Sequence, residues 1–218
     1  MDERRAIAEI VAAGRRLGSR GLISATEGNL SIRLDGERLA ITPRGWRKDE
    51  LAAEDIRIVP LRAAVAGAPG DEPGPSSDLA IHRAALTARP DAHAVAHAHL
   101  PAAMALTLGG EIPDPAVLPE TALFIPRLPF VPFGIPGSDE LARRIAAALT
   151  TRPEPYPDAL LLDRHGAVAI GPDLATAVDR LELVEVLCRT WRDSLLIRAA
   201  RSTLGGDEDD PPEAGPTR

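Results

Sequence analysis

Segments with the two-residue period of strands alternate along the chain with segments of the 3.6-residue period of helices. That order restricts the fold more than any other feature. Ile7, Ile10, Val11 and Leu17 stand at helical spacing, and Gly18 and Gly21 end that helix. Leu30–Leu34 and Arg38–Ile41 alternate around Asp35-Gly36 and read as a hairpin. Ile56–Val59 is another strand, and Gly67 to Pro75 is a Gly/Pro loop. Ser76-Ser77-Asp78 supplies N-cap residues for a helix that stops before Pro90. A strand over Ala94–His99 and a helix over Pro101–Leu108 follow. Residues 109–136 are proline-rich, with at most one short strand near Phe130-Val131. A helix over Asp139–Leu149, capped by Ser138, leads to two strands, Ala159–Leu162 and Ala167–Ile170. Ala177, Val178, Leu181, Val184, Leu187, Cys188 and Trp191 form one stripe of a long last helix. The pattern predicts an α/β domain over residues 1–204, with helices on both faces of a sheet. Residues 205–218 are expected to be a disordered acidic tail.

Composition narrows the function. With 218 residues, 44% of them hydrophobic, the chain can bury one large core, or at most two small ones. A net charge of -7 argues against nucleic acid and against an anionic membrane surface. No stretch is long and apolar enough to span a membrane. Met1 to Arg5 leads into an amphipathic pattern without the features of a signal peptide, and a cytoplasmic location is expected. The single cysteine, Cys188, reads as a small core residue and fits a reducing compartment. Lys48 is the only lysine and lies in a charged run, Arg47-Lys48-Asp49-Glu50. A Schiff-base lysine needs an apolar or cation-crowded pocket, so covalent amine catalysis is not expected.

The histidines carry the chemistry. In a strand, residues i and i+2 point to one face, so His97 and His99 project side by side. Two imidazoles so placed suit a divalent metal ion, although a bare His-x-His is as often a pair of surface or core residues. His165, in a His-Gly turn between apolar strands, is the natural third ligand of an open site. His93 reads as exposed. His82 lies on the same helical face as Asp78, where it either orients a neighbour or simply packs. Three turns look built for an oxyanion: Thr26-Glu27-Gly28-Asn29, Thr42-Pro43-Arg44-Gly45 and the helix start at Ser76-Ser77. Each is weak alone, because turns are rich in such residues.

Together these segments resemble the class II aldolase/adducin family, which includes L-fuculose-phosphate aldolases and L-ribulose-5-phosphate 4-epimerases. The resemblance runs in order from about Arg5 to Trp191. It is carried by Gly-Leu-Ile-Ser-Ala-Thr-Glu-Gly-Asn-Leu-Ser-Ile-Arg at 21–33, Ile-Thr-Pro-Arg-Gly at 41–45 and Pro-Ser-Ser-Asp-Leu-Ala-Ile-His at 75–82. Ala-Val-Ala-His-Ala-His at 94–99, Pro-Gly-Ser-Asp-Glu-Leu-Ala at 136–142 and Leu-Leu-Leu-Asp-Arg-His-Gly-Ala-Val at 160–168 continue it.

The resemblance implies a three-layer α/β/α sandwich around a mainly antiparallel or mixed sheet. It implies Zn2+, or Mn2+ or Co2+, on His97, His99 and His165, with Asp78 approaching the metal or acting as acid/base. A phosphate would sit against Thr26, Gly28, Asn29, Arg44, Gly45, Ser76 and Ser77. The implied protein is a cytoplasmic homotetramer with sites at subunit interfaces, acting on a small sugar phosphate. The activity implied is aldol or retro-aldol cleavage. Epimerase or dehydratase chemistry is an alternative, and a non-catalytic adducin-like interaction module is a rival of another class. Three departures stand out. Asp78 occupies the place where the aldolases carry Glu, as in the epimerases. The only tyrosine is Tyr156, so the catalytic tyrosine of the fuculose-phosphate aldolases is missing and Glu120 is a candidate replacement. Glu27 places a carboxylate within the expected phosphate turn.

Overall fold

The computed structural model describes residues 2–62 and 74–203. Most of the Gly67–Pro75 loop and the acidic tail lie outside the described residues. Helix α1 (Glu3–Ser19) starts where Asp2 accepts a hydrogen bond from the Arg5 N–H. The hairpin follows as β1 (Asn29–Arg33) and β2 (Arg38–Ile41), and then β3 (Arg57–Pro60). Helix α2 (Leu79–Ala88), β4 (Ala94–Ala98), α3 (Pro101–Leu108) and α4 (Pro119–Phe124) lead to β5 (Phe130–Val131). Helix α5 (Asp139–Leu149), β6 (Ala159–Leu162), β7 (Gly166–Gly171) and α6 (Leu174–Thr203) complete the chain.

The strands form one seven-stranded sheet in the order β3-β2-β1-β4-β7-β6-β5. Only the β5–β6 pair is parallel. The sheet is therefore mixed and mainly antiparallel, and helices cover both faces, as a three-layer α/β/α sandwich requires.

Strand alternation decides which side chain goes to which layer. Leu30, Ile32, Ala94, Ala96, Ala98, Ala167 and Ala169 face the layer of α1, α3 and α6. The alanines of β4 and β7 let the long helix α6 lie close to the sheet centre through Ala177, Val178, Leu181 and Val184. Burying each of these larger aliphatic side chains stabilises the fold by about 1.5–3 kcal/mol. Val95, Leu160, Leu162, Val168 and Ile170 face the other layer, where α2 and α5 pack. By the same parity Asn29, Ser31 and His97 point toward α2, which places polar side chains on an otherwise apolar face.

Two expectations need correction. Strand β4 ends at Ala98, so His99 stands one residue beyond the strand. The proline-rich stretch holds a short 3-10 turn at Pro115–Val117 and the helix α4, neither of which was expected. Asp114 accepts from the Ala116 N–H, and Pro115 and Pro119 open the two elements, where a missing N–H costs nothing. Cys188 is buried as expected, and burial, helped by Glu185, pushes its thiol up to about 12. Among the described residues no helix is long and apolar enough to cross a membrane.

Candidate metal centre

His97 lies in the centre of the sheet and is fully buried. The register pairs it with Asn29 on β1 and Val168 on β7. Its Nδ1 is 2.9 Å from the Ala167 carbonyl oxygen. A carbonyl only accepts, so Nδ1 carries the proton and Nε2 presents its lone pair. His99 follows the strand end and is 22% exposed at its side chain. Beyond it, Pro101 opens α3, and the N–H groups of Ala102 and Ala103 donate to the buried Glu185 carboxylate. That contact fixes the direction in which the chain leaves His99.

His165 sits in the turn before β7. The next residue, Gly166, has φ +86° and packs against the backbone of Ala98 and His99. Only a residue without Cβ allows that approach, and it brings His165 over the end of β4. The three rings have centroids 4.7–5.0 Å apart, and one ligand atom of each lies within 4.8 Å of the other two.

His97 Nε2 and His165 Nδ1 are buried without a hydrogen-bond partner. Such orphaned atoms call for an explanation. Burial lowers all three pKa values, that of His97 to about 3 with help from His165. Three neutral imidazoles with converging lone pairs fit a divalent ion such as zinc, with an open position left.

Asp78 is the N-cap residue of α2, yet its carboxylate caps nothing. It turns into the site instead. Oδ2 accepts from Asn29 Nδ2 at 2.9 Å and lies 3.9 Å from His97 Nε2, while Oδ1 is buried and unpartnered. Burial by itself raises the Asp78 pKa, but His97, the Asn29 hydrogen bond, His165 and His82 outweigh it and the net shift is downward.

Behind Asp78 runs a chain of buried polar groups. Asn29 Oδ1 is 2.5 Å from His82 Nε2, and His82 Nδ1 is 2.6 Å from Ser31 Oγ. The amide oxygen only accepts, so Nε2 carries the proton and Nδ1 accepts from the Ser31 hydroxyl. Of its two readings, His82 therefore takes the orienting one. His93, by contrast, is exposed.

Complete burial lowers the His82 pKa to about 4. The unfolded imidazole titrates near 6.5. Between these values the unfolded chain binds a proton that the fold refuses. The His82 contribution is thus present in full above pH 6.5, shrinks as pH falls toward 4, and levels off below. The loss is on the order of 3 kcal/mol. His82→Gln should be less stable than the parent at pH 7.5 but lose less stability on acidification, by urea titration at several pH values. Equal pH slopes in both proteins would show that His82 protonates within the fold.

A cavity of about 280 Å³ adjoins His99, His165 and Asp78. Thr26, Gly28, Asn29, Arg44, Gly45, Ser76 and Ser77 all line it, although they come from three separate turns. Ser76 N–H donates to the Thr42 carbonyl at 3.0 Å, which holds two of those turns together. The Asn29 amide is already engaged with Asp78 and His82. Glu27 also lines the cavity, with Oε1 3.7 Å from His99 Nδ1. Glu120 is exposed on α4 and is not among the residues lining the cavity.

Lys48 was missed as a site residue. Its charged neighbours suggested a solvated surface, but the side chain is 2% exposed and lines the cavity. The available sign was its uniqueness in a chain that otherwise uses arginine. The link from His82 to Ser31 and Asn29 could not be read either, because 51 and 53 residues separate them.

Comparison with known proteins agrees with this fold. The model of the Class II Aldolase and Adducin N-terminal domain matches residues 8–192. A 3-oxo-tetronate 4-phosphate decarboxylase from Haemophilus influenzae is 32% identical, over 81% of this chain and 81% of that protein. A methylthioribulose-1-phosphate dehydratase from Acidiphilium cryptum is 35% identical, over 82% of this chain and 86% of that one. The crystal structure of L-fuculose-1-phosphate aldolase from Thermus thermophilus superposes with a TM-score of 0.77 at 28% identity, covering 90% of this chain and 97% of that chain. A match over nearly the whole fold, with the three histidines converging inside it, leads to one assignment: the chain belongs to the class II aldolase/adducin family.

Proposed function

We propose that this protein is a metal-dependent lyase that breaks a C–C bond beside the carbonyl of a small, phosphorylated hydroxy-carbonyl compound. The observation that carries this reading is the convergence of three neutral imidazoles and one buried, half-partnered carboxylate at the wall of a polar cavity. His97, His99 and His165 would hold Zn2+, with Mn2+ or Co2+ also suited to the ligands. A divalent ion bound there supplies Lewis-acid stabilisation of negative charge on the substrate oxygens.

The remaining work falls to the chain. Thr26, Gly28, Arg44, Gly45, Ser76 and Ser77 bind the anionic end and fix the register of the substrate. Arg44 contributes a guanidinium, whose fork matches phosphate oxygens. Asp78 moves the proton. Its Oδ2 is held by Asn29, and its free Oδ1 takes a proton from a substrate hydroxyl or returns one to carbon after the bond breaks. Glu27 is a second carboxylate at the rim. The reading includes a homotetramer with sites at subunit interfaces and a cytoplasmic location.

A second reading, decarboxylation of a β-keto acid phosphate, is favoured by two observations. The Haemophilus relative is named as such a decarboxylase. Residues 109–136 contain no tyrosine. Loss of CO2 needs an electron sink and one proton delivered to carbon, and Asp78, an ionised carboxylate, would relay that proton from water.

Asp78→Asn is expected to lower kcat by about 10²–10⁴-fold while metal is retained, since a proton-transfer group is removed and the histidines are not. Screening phosphorylated ketoses and keto acids, with separate assays for aldehyde and CO2, distinguishes the two readings. An unimpaired Asp78→Asn enzyme would remove Asp78 from the chemistry.

A further inference from the structure

Among the described residues Lys48 is a buried cation with no carboxylate at hydrogen-bond or ion-pair distance, although the more distant Asp78 charge acts on it. Its Nζ donates to the Thr26 carbonyl at 2.7 Å and to the Trp46 carbonyl at 2.6 Å. An ammonium has three donors, and these carbonyls use two. Thr26 begins one of the three cavity turns, and Trp46 directly follows Gly45 of another. The ammonium therefore lies where two walls of the cavity meet. Its backbone is held from behind, because Gly14 of α1 packs so closely that a Cβ there would lie 2.0 Å from the Lys48 carbonyl oxygen.

Burying a charge with only carbonyl partners is unfavourable unless something compensates. Burial lowers the pKa to about 8, which still leaves mostly the cation at neutral pH. The Asp78 carboxylate acts on this ammonium, and the ammonium in turn acts on His99, so the charge lies within reach of the site. A lysine suits this position better than arginine, since a slender stem reaches the two carbonyls and a compact ammonium fits between them.

We propose that Lys48 is the buried counter-charge of the substrate's anionic group, with its third N–H directed to a phosphoryl oxygen in the cavity. The inference rests on the reading of the cavity as an anion site. It makes Lys48 a residue that selects a charged substrate over a neutral one. Arg44, at the cavity wall, supplies the other cation.

The single lysine makes the test direct. Protein labelled with ¹³Cε-lysine has one lysine signal, assigned without mutagenesis. Titration of the metal-loaded wild type with inorganic phosphate is expected to move that signal saturably, with the Kd that calorimetry gives. Lys48→Gln keeps a donor and removes the charge, and should bind phosphate about tenfold or more weakly. Lys48→Arg keeps the charge and should bind more tightly than Lys48→Gln. A lysine signal unmoved at saturating phosphate would overturn the proposal even if neither variant folds. So would a folded Lys48→Gln with wild-type affinity, or equal losses in both variants, which mean that the residue only tethers the two turns. A wild type that binds metal but no phosphate would instead remove the anion-site reading itself, and the proposal with it.

Discussion

His97→Ala is expected to purify with less than about a tenth of the metal of the wild type and to lose about 10³-fold or more in rate. His97 is the proposed ligand held most tightly by the fold. It is fully buried in the sheet centre, its Nδ1–H is committed to the Ala167 carbonyl, and its Nε2 has no hydrogen-bond partner. The Asp78 carboxylate, 3.9 Å from that Nε2, is the nearest other donor, while the alternating alanines of β4 and β7 turn their side chains to the opposite face. Two imidazoles remain in the variant, and two ligands hold a divalent ion far less tightly than three. The variant also leaves the Ala167 carbonyl without its side-chain donor, so a modest loss of stability is expected. Elemental analysis beside circular dichroism separates loss of metal from loss of fold. A folded His97→Ala protein with one ion per chain and full activity would end the metalloenzyme reading.

Gly166→Ala should damage the fold and the site together. An added Cβ would lie 2.1 Å from the Ala98 carbonyl oxygen, 2.7 Å from His99 Cα and 2.9 Å from the Leu100 nitrogen. All three are backbone atoms of the segment that presents His99, so none can swing aside like a side-chain tip. The φ of +86° adds strain for any L side chain. The expected destabilisation is about 3 kcal/mol or more, with metal affinity down at least about tenfold as His165 is pushed from His99. Gly36→Ala is the control. No atom lies within 4 Å of the added Cβ there and φ is ordinary, so its effect should stay within about 0.5 kcal/mol. Equal urea midpoints for the two variants would show that the turn can relax, and that Gly166 does not set the geometry of the histidines.

The two effects differ in what the chain reveals beforehand. A histidine pair two residues apart on an apolar run advertises itself, and the His-Gly turn before another apolar run supplies the third ring. The oxyanion turns were legible as chemistry, since Gly, Ser, Thr and Asn at the starts of elements are the residues that bind anions with backbone and hydroxyl groups. Asp78 was legible as a helix start. That its carboxylate abandons the cap for Asn29 was not, because the pull comes from a strand 49 residues away. Lys48 was misread for a related reason: hydrophilic neighbours describe the surface of a segment, not the side on which one member turns inward.

Local period and residue chemistry thus determined the element order apart from α4 and the turn at Pro115–Val117, the α/β class and the identity of the three imidazoles. These depend on steric and hydrophobic rules that act within a few residues. The tertiary structure alone decided that β1 lies beside β4, so that Asn29 meets His97, and that α2 covers this pair with His82. It also decided that α1 presses Lys48 into the cavity wall. Those contacts arise from strand order and helix packing, which are set by the burial of the whole core, and no local pattern encodes which distant polar groups the core will trap together.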